Sequence, residues 1–270
     1  MMKIGNRNFD TENICGIMGI LNVTPDSFSD GGKWNSLDRA LKHTEEMIAE
    51  GAAIIDVGGE STRPGHTVIT EQEEIERVVP VIERIKREFD IPVSIDSYKA
   101  NVAEAALAAG ADLVNDIWGL KADERMASVI AKYNVPCCLM HNREKAEYVN
   151  FIEDMKNDLR ECLAIAEKAG ISKDKIILDP GVGFGKTYEH NLLAIKHMEE
   201  LHELGCPVLL ATSRKSVIGL TLDLPADQRV EGTVATSVIG VMKGAAFVRV
   251  HDVKENLRAI RMTEAVLKQK

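Results

Sequence analysis

Eight short apolar runs, rich in β-branched residues, recur along the chain at intervals of roughly 20–40 residues. They are GIMGILNVT (16–24), AIIDVGGE (53–60), PVSID (92–96), DLVNDI (112–117), PCCLMH (136–141), IILDPG (176–181), PVLLATS (207–213) and AFVRVH (246–251). The runs are close to continuous and do not alternate polar with apolar, which suits strands covered on both faces of a parallel sheet. Helical stretches of matching length lie between them. Residues 36–50 open on a capping Ser36 and stop at Gly51; residues 70–88 open on Thr70 with Glu73 three positions on, the spacing of a capping box. Further helices are expected over 99–109, 123–133, 150–169, 190–204, 227–243 and 253–268. Gly51-Ala52, Gly110-Ala111 and Gly244-Ala245 mark junctions where a helix ends on glycine and the next strand begins.

Eight strands, each followed by a helix, with no linker-like stretch between them, predict an α/β fold: a (β/α)8 TIM barrel forming a single domain over 1–270, with a short N-terminal extension over 1–13. A doubly wound sheet is the alternative. It uses fewer strands for this length and begins with a glycine fingerprint after its first strand, which is missing here.

Charge and cysteine usage narrow the function. The 270 residues carry 33 Lys+Arg against 42 Asp+Glu, a formal net charge of -9. That balance argues against nucleic acid or an anionic membrane as partner, because both need a basic face, but leaves room for a small anion in a local basic pocket. Five cysteines (Cys15, Cys137, Cys138, Cys162 and Cys206) without a CxxC pair suggest reduced, buried thiols. No apolar run reaches the ~20 residues of a membrane span, and no secretory signal is seen. A cytoplasmic location is expected.

In a barrel, chemistry belongs at the C-terminal ends of the strands. Reading that edge gives Asn22, then Glu60, Thr62 and Arg63, then Asp96, Asn115 with Asp116, His141, Asp179, Ser213 with Arg214 and Lys215, and Arg249 with His251. A single Asp after a strand is commonly only a helix cap; eight strands ending this way make a site. Asp96, Asn115 and Asp179 suit a flat nitrogen heterocycle that presents amine and ring N–H donors along one edge. Lys215, Arg249 and His251 are donors for a phosphate-bearing group, and the planar Arg249 guanidinium can also stack on a ring. Asn22 offers one oxygen ligand for Mg²⁺ shared with phosphate, or is an ordinary turn residue. The loops over 22–34 and 58–70, rich in Gly, Pro and Ser, read as water-excluding lids or as solvated connections.

Several signals point nowhere. PGVGFGKT (180–187) is one residue short of a P-loop and is read as a glycine turn that lets backbone approach a flat ligand. His43, His190, His197 and His202 lack metal-ligand spacing and are read as helix-surface residues. No nucleophile motif occurs. The apolar residues of 230–242 cover more than one helical face, as in a subunit interface or a deeply buried helix.

GILNVTPDSFSDGG, IDVGGESTRPG, SIDSYK, LVNDIWG, ILDPGVGFGKT, TSRKSVIG and FVRVHDV occur in this order over about residues 14–265, and together they closely resemble the dihydropteroate synthases of folate biosynthesis. The resemblance implies a Mg²⁺-assisted TIM-barrel transferase, a homodimer through its last barrel helices. The reaction implied joins 4-aminobenzoate to 6-hydroxymethyl-7,8-dihydropterin diphosphate and releases diphosphate. By the same resemblance Thr62, Asp96, Asn115, Ile117, Met140, Asp179, Gly183, Phe184, Lys215 and Arg249 meet the pterin, with Arg249 stacked over it. Asn22, Arg249 and His251 form the diphosphate site, with Asn22 toward the metal. Thr24, Pro25, Phe28, Arg63, Pro64, Phe184, Lys215 and Ser216 shape the aminobenzoate pocket, where sulfonamides compete. The catalytic group is then Asp26, Arg63, Asp96 and Lys215, acting in a dissociative substitution. Two rival readings stand beside it: a pterin-binding methyltransferase module and a catalytically silent pterin-binding homologue.

Overall fold

A computed structural model describes residues 1–24, 33–60 and 68–269, without the side chains of residues 33–36. A two-stranded antiparallel hairpin, β1 (Met2–Ile4) and β2 (Arg7–Phe9), precedes a closed barrel. The barrel strands are β3 (Gly16–Asn22), β4 (Ile54–Gly58), β5 (Val93–Asp96), β6 (Leu113–Asp116), β7 (Cys137–Met140), β8 (Ile176–Asp179), β9 (Val208–Leu210) and β10 (Ala245–Val250). All eight pair in parallel, in chain order, and β10 closes on β3 with Phe247 opposite Gly16 and Arg249 opposite Met18. Each apolar run of the sequence forms one of these strands.

The helices are α1 (Lys33–Glu50), α2 (Glu71–Glu88), α3 (Ala100–Ala108), α4 (Met126–Tyr133), α5 (Phe151–Lys168), α6 (Tyr188–Lys196), α7 (Ser216–Leu222), α8 (Val230–Met242) and α9 (Val253–Leu267). Thr70 caps α2 as its spacing predicts, accepting from the Glu73 N–H at 3.2 Å. Gly51, Gly110 and Gly244 take the positive φ that ends a helix. Three details differ from the pattern. The α1 backbone begins at Lys33, so Ser36 lies inside the helix and does not cap it. The helix expected over 190–204 divides into α6 and a 3-10 stretch, Met198–Leu204, because a three-residue turn puts Met198, Leu201 and Leu204 on one buried face. The short α7 was not expected at all; it follows the loop after β9, and only Val217, Ile218 and Gly219 of its seven residues are buried.

Two apolar layers hold the barrel. The outer layer, between strands and helices, contains Ile17, Leu21, Ile55, Val57, Val93, Ile95, Val114 and Leu139. The inner layer contains Met18, Ile54, Leu113, Cys138, Ile177, Leu209 and Phe247. Alternate residues of one strand thus belong to different layers, as pleating requires. The hairpin adds Met2, Ile4 and Phe9 to the inner layer and so plugs the end where the strands begin. Phe9 and Phe247 pack with ring centroids 5.5 Å apart, over Gly16, where a Cβ would come within 2.9 Å of the Phe247 ring. The residues read as an extension are therefore a floor. Truncating Phe9→Ala, a half-buried ring, is expected to lower unfolding free energy by about 2 kcal/mol in urea titrations, with no change in slope.

Candidate active site

The inner face of the barrel changes character one pleat above the apolar layer. Two residues beyond Ile54 is Asp56; beyond Ser94, Asp96; beyond Leu113, Asn115; beyond Cys138, Met140; beyond Ile177, Asp179; beyond Phe247, Arg249. The strands place five polar groups and Met140 on one layer at the mouth because side chains on one face of a strand recur every second residue.

Arg249 organises half of this layer. Its Nε donates to Asp56 and its Nη2 to Asp96, both at 2.5 Å. Asn115 Nδ2 donates to the same Asp56 carboxylate at 3.2 Å. Asp56 is 0% exposed, and one oxygen of Asp56 and one of Asp96, the Oδ1 atoms, are buried without a partner. Burial pushes the Asp96 carboxyl up to about 7, against the pull of Arg249 and with repulsion from Asp56. The two charges around Arg249 hold its guanidinium above its ordinary range despite burial. Two unsatisfied carboxylate oxygens in a dry mouth are acceptors for a ligand's N–H groups.

Asp179 and Lys215 form the other half. Asp179 accepts from the Gly181 N–H at 2.7 Å, and burial raises its carboxyl against the attraction of Lys215. Lys215 donates to the Val182 carbonyl at 2.5 Å, and its Nζ lies 4.9 Å from the centre of the Phe184 ring. Burial lowers its ammonium to about 8, which Asp179 and Asp96 resist and Arg249 assists. Gly183 faces Lys215: a Cβ there would sit 3.2 Å from Cδ of the lysine, and φ is +90°. Ile117 and Met140 are both buried.

At the rim, Asn22 is half-buried, and a Cβ on Gly58 would lie 3.7 Å from its Oδ1 and 3.6 Å from Asp96 Oδ2. His251 Nδ1 lies 2.9 Å from Ser213 Oγ, which also accepts the His251 N–H. Ser216 is exposed at the start of α7. Thr24 is half-buried at the end of the first barrel strand. Pro25, Asp26, Phe28, Thr62, Arg63 and Pro64 lie outside the described residues.

Not every polar strand end belongs to the mouth. Glu60 is engaged by Lys99, Tyr98 and the Ile69 N–H; Asp116 accepts the Trp118 and Leu120 N–H groups; Arg214 pairs with Asp252. The His141 ring is buried and bound to Asp158 of α5 at 2.9 Å. These four residues build the walls. Conversely, Asp56 was missed, although it is a charged residue in the middle of the apolar run 53–60, two places from Ile54 and therefore inward-facing. Among the described residues no group of three or more His, Cys, Asp or Glu is arranged to hold a metal.

A closed parallel barrel with this layer defines a barrel enzyme, and the model of the pterin binding enzyme family matches residues 18–251. A dihydropteroate synthase of Clostridium beijerinckii is 63% identical over 269 residues, covering 99% of this chain and 100% of the relative. The crystal structure of the Clostridium difficile dihydropteroate synthase in the presence of pteroic acid superposes with a TM-score of 0.93 at 51% identity, covering 100% of both chains. That of the Yersinia pestis enzyme with a sulfonamide drug gives 0.93 at 43%, covering 99% of each. The chain belongs to the dihydropteroate synthase family of pterin-binding transferases.

The raised Asp96 carboxyl has a measurable sign. Between about pH 4 and pH 7 the folded protein keeps a proton that the unfolded chain has released, so stability falls as pH rises through that window. In chemical denaturation at several pH values, the ligand-free protein is expected to lose stability across it relative to Asp96→Asn, with the difference levelling above about pH 7.

Proposed function

We propose that the polar layer holds 6-hydroxymethyl-7,8-dihydropterin diphosphate and joins it to 4-aminobenzoate by a dissociative substitution. The observation that carries this is the pair of unsatisfied buried oxygens on Asp56 and Asp96, set beside Asn115 and facing Lys215 and Arg249 electrostatically. An aminopyrimidinone edge supplies the N–H donors they lack. Asp179 and Lys215 meet the opposite part of the ring, between Met140 and Ile117, and Arg249 presents its plane to the ring while its Nη1 side remains for diphosphate. His251 and Asn22 complete the diphosphate end.

The residues fit Mg²⁺ held jointly with diphosphate. Asn22 offers a hard carboxamide oxygen, and Mg²⁺ keeps waters and substrate phosphates as its other ligands, so a protein cage is not required. Bound there, Mg²⁺ supplies charge to the departing diphosphate. The chain's own groups do the rest. Arg249 and His251 draw the electron pair of the breaking C–O bond onto diphosphate, and the carboxylates stabilise the cationic pterin methylene. The aniline nitrogen forms the new C–N bond and releases its proton. Asp26 and Arg63 act on that cation, and Thr24, Pro25, Phe28, Pro64, Phe184 and Ser216 bound the amine. Thr62 adds a pterin contact, and sulfonamides occupy the amine's place.

Incubation with Mg²⁺, the pterin diphosphate and labelled 4-aminobenzoate is expected to yield labelled dihydropteroate. Asp96→Ala and Lys215→Ala should each lower kcat/KM by about 100-fold or more. Absence of labelled product indicates a silent binder or a methyltransferase module, and undiminished variants overturn these residue roles.

A homodimer through α8 and α9 is part of the same proposal. Within α8 the buried residues are Thr233, Ser237, Gly240 and Val241, while Ile239 and Met242 are exposed; on α9 Met262 and Val266 are exposed. Small polar residues facing inward and large apolar ones facing outward reverse the usual polarity of a surface helix. Met242→Glu combined with Met262→Glu is expected to convert a dimer to monomer in light scattering. The buried, unpaired state of all five cysteines suits a reducing cytoplasm.

A further inference from the structure

Behind the glycine turn that carries Gly183 and Phe184 lies a half-buried charge cluster, around the buried His141 ring, that the reaction above does not use. Lys186 Nζ lies 2.8 Å from His141 Nδ1, His141 Nε2 lies 2.9 Å from Asp158 Oδ2, and Arg143 Nε donates to the same Asp158 oxygen at 2.6 Å. The Asp158 carboxylate can only accept, so the ring proton sits on Nε2 and Nδ1 is left to accept from Lys186. Burial lowers His141 to about 4, so the ring stays neutral between Lys186 and Asp158. Lys186 has a further acceptor: it donates to the Phe184 carbonyl at 3.1 Å.

The turn is laid directly on the end of the neighbouring strand. A Cβ on Gly181 would lie 1.9 Å from the His141 carbonyl oxygen, and one on Gly185 2.3 Å from that of Arg143. Gly183 is tied through its N–H to Asn191 at 2.6 Å, and Gly185 through its carbonyl to the Tyr148 hydroxyl at 2.7 Å. Between those anchors Phe184 donates its own N–H to Gly181, and the group holding its carbonyl is Lys186. The Phe184 ring in turn rests against the Lys215 ammonium.

We propose that Lys186 is a positioning residue for the aromatic amine: seated on the His141 ring, it pins the Phe184 carbonyl and so sets the Phe184 ring against Lys215 on the wall the amine meets. Lys186 touches no substrate. The inference rests on the reading that Phe184 and Lys215 bound the amine pocket, and that reading has its own control.

Steady-state kinetics of Lys186→Met, Lys186→Gln and Phe184→Ala separate the two. Lys186→Met is expected to raise KM for 4-aminobenzoate about tenfold while KM for the pterin diphosphate and kcat change by less than about twofold. Lys186→Gln, which keeps a donor for the Phe184 carbonyl, should raise the same KM by about threefold, and it carries the test if Lys186→Met does not fold. A folded Lys186 variant with wild-type KM for the amine, or one in which both KM values rise alike, overturns the inference. If Phe184→Ala leaves the amine KM unchanged, the pocket reading itself has failed. If Phe184→Ala raises it while the Lys186 variants do not, only the positioning role has failed.

Discussion

The Arg249 guanidinium, buried across Asp56 and Asp96, is the interaction on which the rest of the mouth depends. Three carboxylates, Asp56, Asp96 and Asp179, are withdrawn from water within one layer, an arrangement that costs several kcal/mol per ion unless opposite charge is equally close. Arg249 comes from the last strand and its partners from the second and third strands of the barrel, so the contact exists only when the sheet closes on itself. Closure and site are therefore one event. Asp56 and Asp96 each keep an oxygen unsatisfied even with Arg249 in place, which leaves acceptor capacity for a ligand at the cost of stability in its absence.

Much of this architecture was legible in the chain, for a physical reason. Strands covered on both faces appear as unbroken apolar runs, and eight of them admit few arrangements. The hairpin was not legible, because strands of three residues such as Met2–Ile4 and Arg7–Phe9 carry too little pattern and Phe9 acquires meaning only opposite Phe247. Polar strand ends were legible as a set but not by direction. Asp96 and His141 look alike in sequence, both closing an apolar run, yet parity along the strand turns one into the mouth and the other toward Asp158. Counting in twos from the inner apolar layer distinguishes them and also finds Asp56, whereas reading the runs as uniformly buried hides it. The roles of Asp26, Arg63, Pro25, Phe28, Thr62 and Pro64 rest on the resemblance alone.

Net charge and site charge answer different questions. A surplus of acid over the whole chain, -9, coexists with Lys186, Lys215 and Arg249 gathered around one turn and one strand end. Burial lowers both lysines, Lys186 to about 7 and Lys215 to about 8, and each is held up by Asp179. The carboxylates and ammonium groups thus favour one another's ionisation, against the burial that opposes it.

The outward face of the barrel is tied to the same chemistry through α8. Arg229, at the start of that helix, donates to the carbonyls of Arg214, at 2.9 Å, and of Lys215, at 3.3 Å, and Thr233 Oγ1 accepts the Arg214 N–H. Arg214 itself takes a positive φ, a conformation that a non-glycine residue keeps only when its surroundings impose it. The turn that aims Lys215 into the mouth is therefore held from beneath by one end and one face of α8, the helix whose outer face is apolar and exposed.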